Sequence, residues 1–225
     1  MKNVRRMEFT VVPASKIHLS TILPRKSPDD EVLRSVERYG IQLPLIVRPL
    51  KENPEEYELI DGAIRRLALE KDQRVLVDIR YGVTDSEVFR IKEAISKRKR
   101  RTTRESAAFY SHWVQTVSEE RGKKGAQARV ARIARMSEGE ISQYLAIHNA
   151  FRELERLPKS ATINFDTIKN QGINKLYELS KLRGNPALLR IAQEFAEHPN
   201  MPIRKLRRKV KNEKTSKPPK NERTT

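Results

Sequence analysis

Four small polar side chains, Ser137, Glu140, Ser142 and Gln143, follow closely on three guanidinium groups, Arg129, Arg132 and Arg135. Hydroxyl, carboxylate and amide groups so spaced can hydrogen-bond to base edges in a DNA major groove, and the arginines can neutralise phosphates beside it. A second cationic cluster, Lys97, Arg98, Lys99, Arg100 and Arg101, places like charges side by side, a costly arrangement unless an anion neutralises it. A third group is Gly62 with Arg65 and Arg66, to which Arg98 could add charge. A glycine permits close backbone approach and a following helix start offers N–H groups, so this is a candidate nucleotide or anion site. For Arg65 the alternative is an ordinary ion pair.

Other chemistries are poorly provided for. The chain has no cysteine, which excludes disulfides and thiolate catalysis, and its four histidines show no paired ligand spacing, so no metal site is expected. No catalytic constellation stands out. The net charge of +18 points to a polyanionic partner. Its distribution is uneven: residues 1–90 hold 16 basic and 15 acidic side chains, whereas residues 91–225 hold 31 and 14. No apolar run suits a membrane span or a signal peptide, so the expected compartment is the cytoplasm, in association with the nucleoid.

The elements that must position these groups differ between the two halves. Residues 1–90 read as an α+β domain. Extended pieces are expected at 11–13, 16–19, 45–47, 57–60 and 75–79, with 45–47 and 57–60 pairing across a polar loop. Ser27, Pro28, Asp29 and Asp30 supply helix-start signals for a helix carrying Val32, Leu33 and Val36 and closed by Gly40. Thr84 and Glu87 have capping-box spacing and open a helix that leads into the 97–101 cations. Residues 91–210 read as all-α, with a helix-turn-helix near 126–148. In it Val130, Ala131, Ile133 and Ala134 form one apolar face, Ile141 and Leu145 form the facing stripe, and Ser137 with Glu140 caps the second helix. Ala107, Tyr110, Trp113 and Val117 recur at helical spacing and read as core. Residues 211–225, basic and nearly devoid of apolar side chains, read as a disordered tail.

In this order the elements resemble the ParB family of partition proteins. The resemblance is carried by Pro24, Arg25 and Lys26; by Val36, Glu37, Arg38, Tyr39 and Gly40; by Gln42, Leu43, Pro44, Leu45, Ile46, Val47 and Arg48; and by Tyr57 to Gly62 with Arg65, followed by the helix-turn-helix. It implies a ParB-like N-terminal domain, a site-specific double-stranded DNA-binding domain acting in partition or transcriptional regulation, and in many relatives a CTP-driven clamp. A partition ATPase and a homodimer are the partners it suggests. The family's Gly-Glu-Arg-Arg box is met only at Gly62 and Arg65, with Ala63 and Ile64 between them. Ala94 and Ile95 replace its Glu-Asn pair, and Leu43 a Gln. Methyl and butyl groups cannot ligate a hard cation. Metal-dependent CTP hydrolysis is therefore expected to be absent, while CTP binding stays open. The competing readings are a ParB-fold nuclease or kinase, drawing on Asp61 and Glu58, and a non-specific nucleoid-coating protein.

Overall fold

The computed structural model describes residues 6–23, 30–96, 101–156 and 163–215, which fall into two compact units, Met1–Lys99 and Arg100–Thr225. The helix-start signals at Ser27, Pro28 and Asp29, the stretch Pro24 to Lys26, and Lys97, Arg98, Lys99 and Arg100 lie outside the described residues.

The first unit is built on one mixed sheet. Its strands are β1 (Met7–Pro13), β2 (Ile17–His18), β3 (Leu45–Pro49), β4 (Tyr57–Asp61) and β5 (Arg74–Arg80), in the spatial order β1-β5-β3-β4-β2. The pairs β1/β5 and β3/β4 are antiparallel, and β3/β5 and β2/β4 are parallel. The β3/β4 pairing is the one expected across the polar loop. One face of the sheet buries Val12, Leu45, Val47, Leu59, Val75, Val77 and Ile79 in a common core. Strand β1 begins well before Val11, because Met7 to Thr10 continue its alternation and pair in register with 77–80. Residues 16–19 are less extended than expected: Ala14–Lys16 make a 3-10 turn, and only Ile17 and His18 remain as strand.

Helices α1 (Asp30–Tyr39), α2 (Ala63–Leu67) and α3 (Asp85–Ser96) complete this unit. Gly40 adopts φ 69° and its N–H closes on Val36 O at 2.8 Å, the left-handed helix end its position suggests. At α3 the Glu87 carboxylate accepts from Thr84 N at 3.0 Å. That helix packs on β4 and buries Val88 and Phe89, so the unit extends beyond residue 90. The step in charge there marks a change of surface, whereas the unit ends where apolar packing ends.

Among the described residues the second unit contains helices and no strand. They are α4 (Thr103–Arg121), α5 (Ala126–Ala134), α6 (Glu138–Arg156), α7 (Phe165–Ile168), α8 (Ile173–Ser180), α9 (Ala187–Glu197) and α10 (Ile203–Thr215). Thr102 and Glu105 form a reciprocal capping box at the start of α4. Tyr110 and Trp113 are core, as their spacing suggests. The core continues through Ile147, Phe151, Leu154, Leu176, Leu188, Ile191, Phe195, Leu206 and Val210. Helix α10 overturns part of the expected tail: residues 211–215 are helical. Burial of Leu206 and Val210 anchors the helix, and Arg190 reaches Glu213 at 2.5 Å, so the last turns form despite their polarity. Residues 216–225 lie outside the described residues. Among those described, no helix is long and apolar enough to cross a membrane.

Candidate nucleic-acid interface

Helices α5 and α6 meet through a turn of three residues, 135–137, whose hydrogen bonds are all local. Met136 N reaches Ala131 O at 2.9 Å and Arg135 N reaches Arg132 O at 3.4 Å, the paired bonds of a Schellman motif. Such a motif needs a left-handed residue at its centre. Here that residue is Arg135, with φ 60° and ψ 45°, rather than the usual glycine. Helix α6 then starts on a capping box. Glu140 N donates to Ser137 Oγ at 3.1 Å, and the Glu140 carboxylate accepts from Ser137 N at 2.9 Å and from its hydroxyl at 3.0 Å. Those bonds, the backbone one foremost, hold the Glu140 carboxyl below its ordinary value. Gln127 Nε2 donates to Glu138 O at 2.9 Å and ties the two helices across the turn. Nothing in the sequence around Gln127 marked it for this role.

The buried face of α5 is Ala126, Val130 and Ala131. Ile133, expected on that face, is 44% exposed, and Ala134 is half-buried; the buried face runs back to Ala126 instead of forward to Ile133. On α6 the buried residues are Ile141, Ile147, Ala150, Phe151 and Leu154, while Leu145 is half-buried. Helix α4 packs on both α5 and α6, and Tyr110 meets Tyr144 with ring centroids 5.0 Å apart. Ser142 is exposed, and Gln143 beside it is half-buried with no hydrogen bond among the described residues.

The arginines divide into two sets. Arg132 and Arg135 are exposed, and neither has an acidic partner among the described residues. Arg129 differs from expectation: its Nη2 donates to Gly122 O at 2.9 Å and Arg121 O at 3.3 Å, so it satisfies carbonyls at the end of α4. Arg101 likewise lies over the Phe109 ring, 3.8 Å from its centroid, and is half-buried.

Around Gly62 the groups are turned inward. Gly62 has φ 102°, and a Cβ there would stand 2.5 Å from Leu45 Cδ2. Arg65 donates to Pro44 O at 3.2 Å, to Leu43 O, and to Asp61 at 3.1 Å, and Lys92 also pairs with Asp61. Arg66 donates to Ile17 O at 3.0 Å, and burial lowers its pKa. Glu58 is held by Arg48, whose Nε lies 2.8 Å away and which also pairs with Asp85 and with Val83 O. Burial opposes the charge on Arg48, but Glu58 and Asp85 outweigh it and raise its pKa. Asp61 and the carbonyls of Leu43 and Pro44 hold Arg65, and Ile17 O holds Arg66 through its Nε, so neither guanidinium is wholly open to an anion. Nor, among the described residues, do acidic and histidine side chains gather as a metal site.

No protein-family model and no curated protein matches the chain. Solved structures do. The C2221 form of a Pnob8-like ParB-N domain aligns with a TM-score of 0.55 at 11% identity, covering 92% of this chain and 98% of that one. The structure of the pNOB8-like ParB N-domain aligns with a TM-score of 0.55 at 12% identity, covering 93% of each. C-terminally truncated ParB from Caulobacter crescentus, complexed to the centromeric parS site, aligns with a TM-score of 0.48 at 16% identity, covering 90% of this chain and 99% of that one. The fold of this chain is the one seen in the ParB N-domain structures.

Proposed function

We propose that this chain is a site-specific double-stranded DNA-binding protein of the ParB type, acting in partition or transcriptional regulation. The observation that carries the reading is the start of α6. Its capped N-terminal end exposes Ser142, leaves Gln143 without a hydrogen bond among the described residues, and follows two exposed guanidinium groups, Arg132 and Arg135, that have no acidic partner among them. A helix-turn-helix presents a duplex with the same arrangement, base-reading groups at the N-terminal end of the second helix and cations beside it. Glu140 acts as the cap rather than as a base contact, and Gln143 and Ser142 carry the sequence reading. The basic surface of residues 91–225 supplies affinity that weakens with salt. Binding proceeds without turnover, because Asp61 and Glu58 are neutralised by Arg65, Lys92 and Arg48.

Selection of bound fragments from random duplex DNA tests the proposal. The expected result is a defined motif whose preference relaxes in Gln143→Ala by about 1–3 kcal/mol at one base pair. Enrichment of no motif by the native chain would sink the site-specific reading and favour a coating protein.

A further inference from the structure

Helix α10 carries seven basic side chains and one carboxylate, Glu213. Part of this charge is used within the fold. Arg207 reaches Glu178 at 2.9 Å, Lys209 reaches Glu194 at 2.8 Å, and Glu213 itself pairs with Arg190 of α9 at 2.5 Å. Lys205 also stands near Glu194. Arg204, Arg208, Lys211 and Lys214 are exposed, and their side chains have no acidic partner among the described residues.

The helical period sets Arg204, Arg208 and Lys211 on one face, at i, i+4 and i+7, along roughly 10 Å of axis. Leu206 and Val210, 0% and 3% exposed, occupy the opposite face, and the helix packs on α8 and α9. Asn212 and Thr215 border the cationic stripe, and no apolar side chain interrupts it.

Local energetics oppose this arrangement. Arg204 with Arg208 and Arg208 with Lys211 are like-charge neighbours on one helix face, which is destabilising. The first turn holds no acid, and Arg204 and Lys205 stand there against the positive end of the helix dipole. Neither feature serves the packing of α10, which Leu206, Val210 and the two ion pairs to α8 and α9 provide. An external polyanion relieves both.

The chemistry of the face selects the polyanion. Attachment to a membrane needs an apolar face free to enter lipid, and that of α10 is buried in the protein core. A protein partner would need apolar or aromatic anchors, and the stripe offers none. Guanidinium and ammonium groups beside an amide and a hydroxyl suit the phosphates of a duplex backbone. The surface is also separate from the α5 and α6 turn, since α10 packs on α8 and α9 whereas α5 packs on α4 and α6.

We propose that the outer face of α10 is a second duplex contact, gripping phosphates through Arg204, Arg208 and Lys211 without regard to base sequence. It rests on duplex DNA as the partner proposed above, but not on base reading by α6.

The test compares the full native chain with a variant combining Arg204→Gln, Arg208→Gln and Lys211→Gln, glutamine being a comparable helix former. Fluorescence anisotropy across a salt series follows binding to two duplexes, one scrambled and one the most enriched by selection. The slope of log K against log salt should fall by about 2–3 on both duplexes, and by about 0.9 in Arg208→Gln alone, while the ratio of the two affinities stays near native. Gln143→Ala should do the reverse, shifting the ratio and sparing the slope. Arg34→Gln, Lys51→Gln and Lys71→Gln combined remove the same charge from exposed positions of the first unit and should leave the slope near native. An unchanged slope in the α10 variant, an equal fall in both triple variants, or a loss confined to the enriched duplex would overturn the proposal. So would an unchanged DNA slope together with lost binding to anionic phospholipid vesicles, which would assign the face to a membrane surface. A native chain that binds no duplex would overturn both this proposal and the proposed function. A native chain without sequence preference, whose slope still falls in the α10 variant, would overturn base reading alone and support the α10 contact.

Discussion

Replacing Arg135 with glycine separates two demands that the turn between α5 and α6 places on one residue. The backbone there is left-handed, at φ 60° and ψ 45°, and a side chain in that region costs roughly 1–2 kcal/mol. Glycine removes that strain but adds freedom to the unfolded chain, which returns about 0.5–1 kcal/mol. The net expectation is that Arg135→Gly stabilises the helical unit by about 0.5–1 kcal/mol, and thermal unfolding should rise by about 2–5 °C for a domain of this size. DNA binding should move the other way. Under the proposed DNA-binding function the exposed guanidinium would neutralise one phosphate, and its loss should lower the slope of log K against log salt by about 0.9.

Arg135→Lys serves as the control, retaining both the charge and the strain, and should leave melting temperature and salt slope near native. The assays are calorimetry of the free protein and fluorescence anisotropy on duplex DNA across a salt series. A lower melting temperature in Arg135→Gly would refute the backbone argument. An unchanged salt slope would refute the phosphate contact while leaving the backbone argument standing.

Ser137→Ala removes the acceptor for Glu140 N and should destabilise the helical unit by about 1 kcal/mol in denaturant titrations. Gly62→Ala should be far more damaging than an ordinary glycine substitution, by about 2 kcal/mol or more, because a Cβ would stand 2.5 Å from Leu45 Cδ2 and φ is 102°. The pH dependence should carry the mark of His148, which faces His112 with ring centroids 5.7 Å apart. Burial, with His112 and Arg152 nearby, lowers its pKa from 6.5 to about 4. The unfolded chain binds this proton first as pH falls, so stability is fully present above 6.5 and declines between 6.5 and about 4. His148→Gln should flatten that part of the stability curve, measured by urea unfolding at a series of pH values.

Features decided within one or two turns of chain were legible in the sequence. The capping box at Ser137 and Glu140, the left-handed end at Gly40, the β3/β4 pairing and the core role of Tyr110 and Trp113 all rest on spacing and residue type. The concentration of positive charge beyond residue 90 needed only counting. What each arginine does was not legible. Arg129, Arg132 and Arg135 lie at equal intervals, yet one closes the end of α4 while the other two are exposed. Arg65 binds carbonyls of Leu43 and Pro44, and Arg101 rests on Phe109. A guanidinium group reaches whichever acceptor or ring the chain brings within a few ångströms, and distant segments are brought there by tertiary packing. The place of β1 at the end of the strand order belongs to the same class, because a strand with alternating apolar residues becomes an edge only once the order of its neighbours is set. Periodicity and capping are short-range properties carried by the chain itself; which donors are occupied and which surfaces stay open are long-range properties that exist only in the folded molecule.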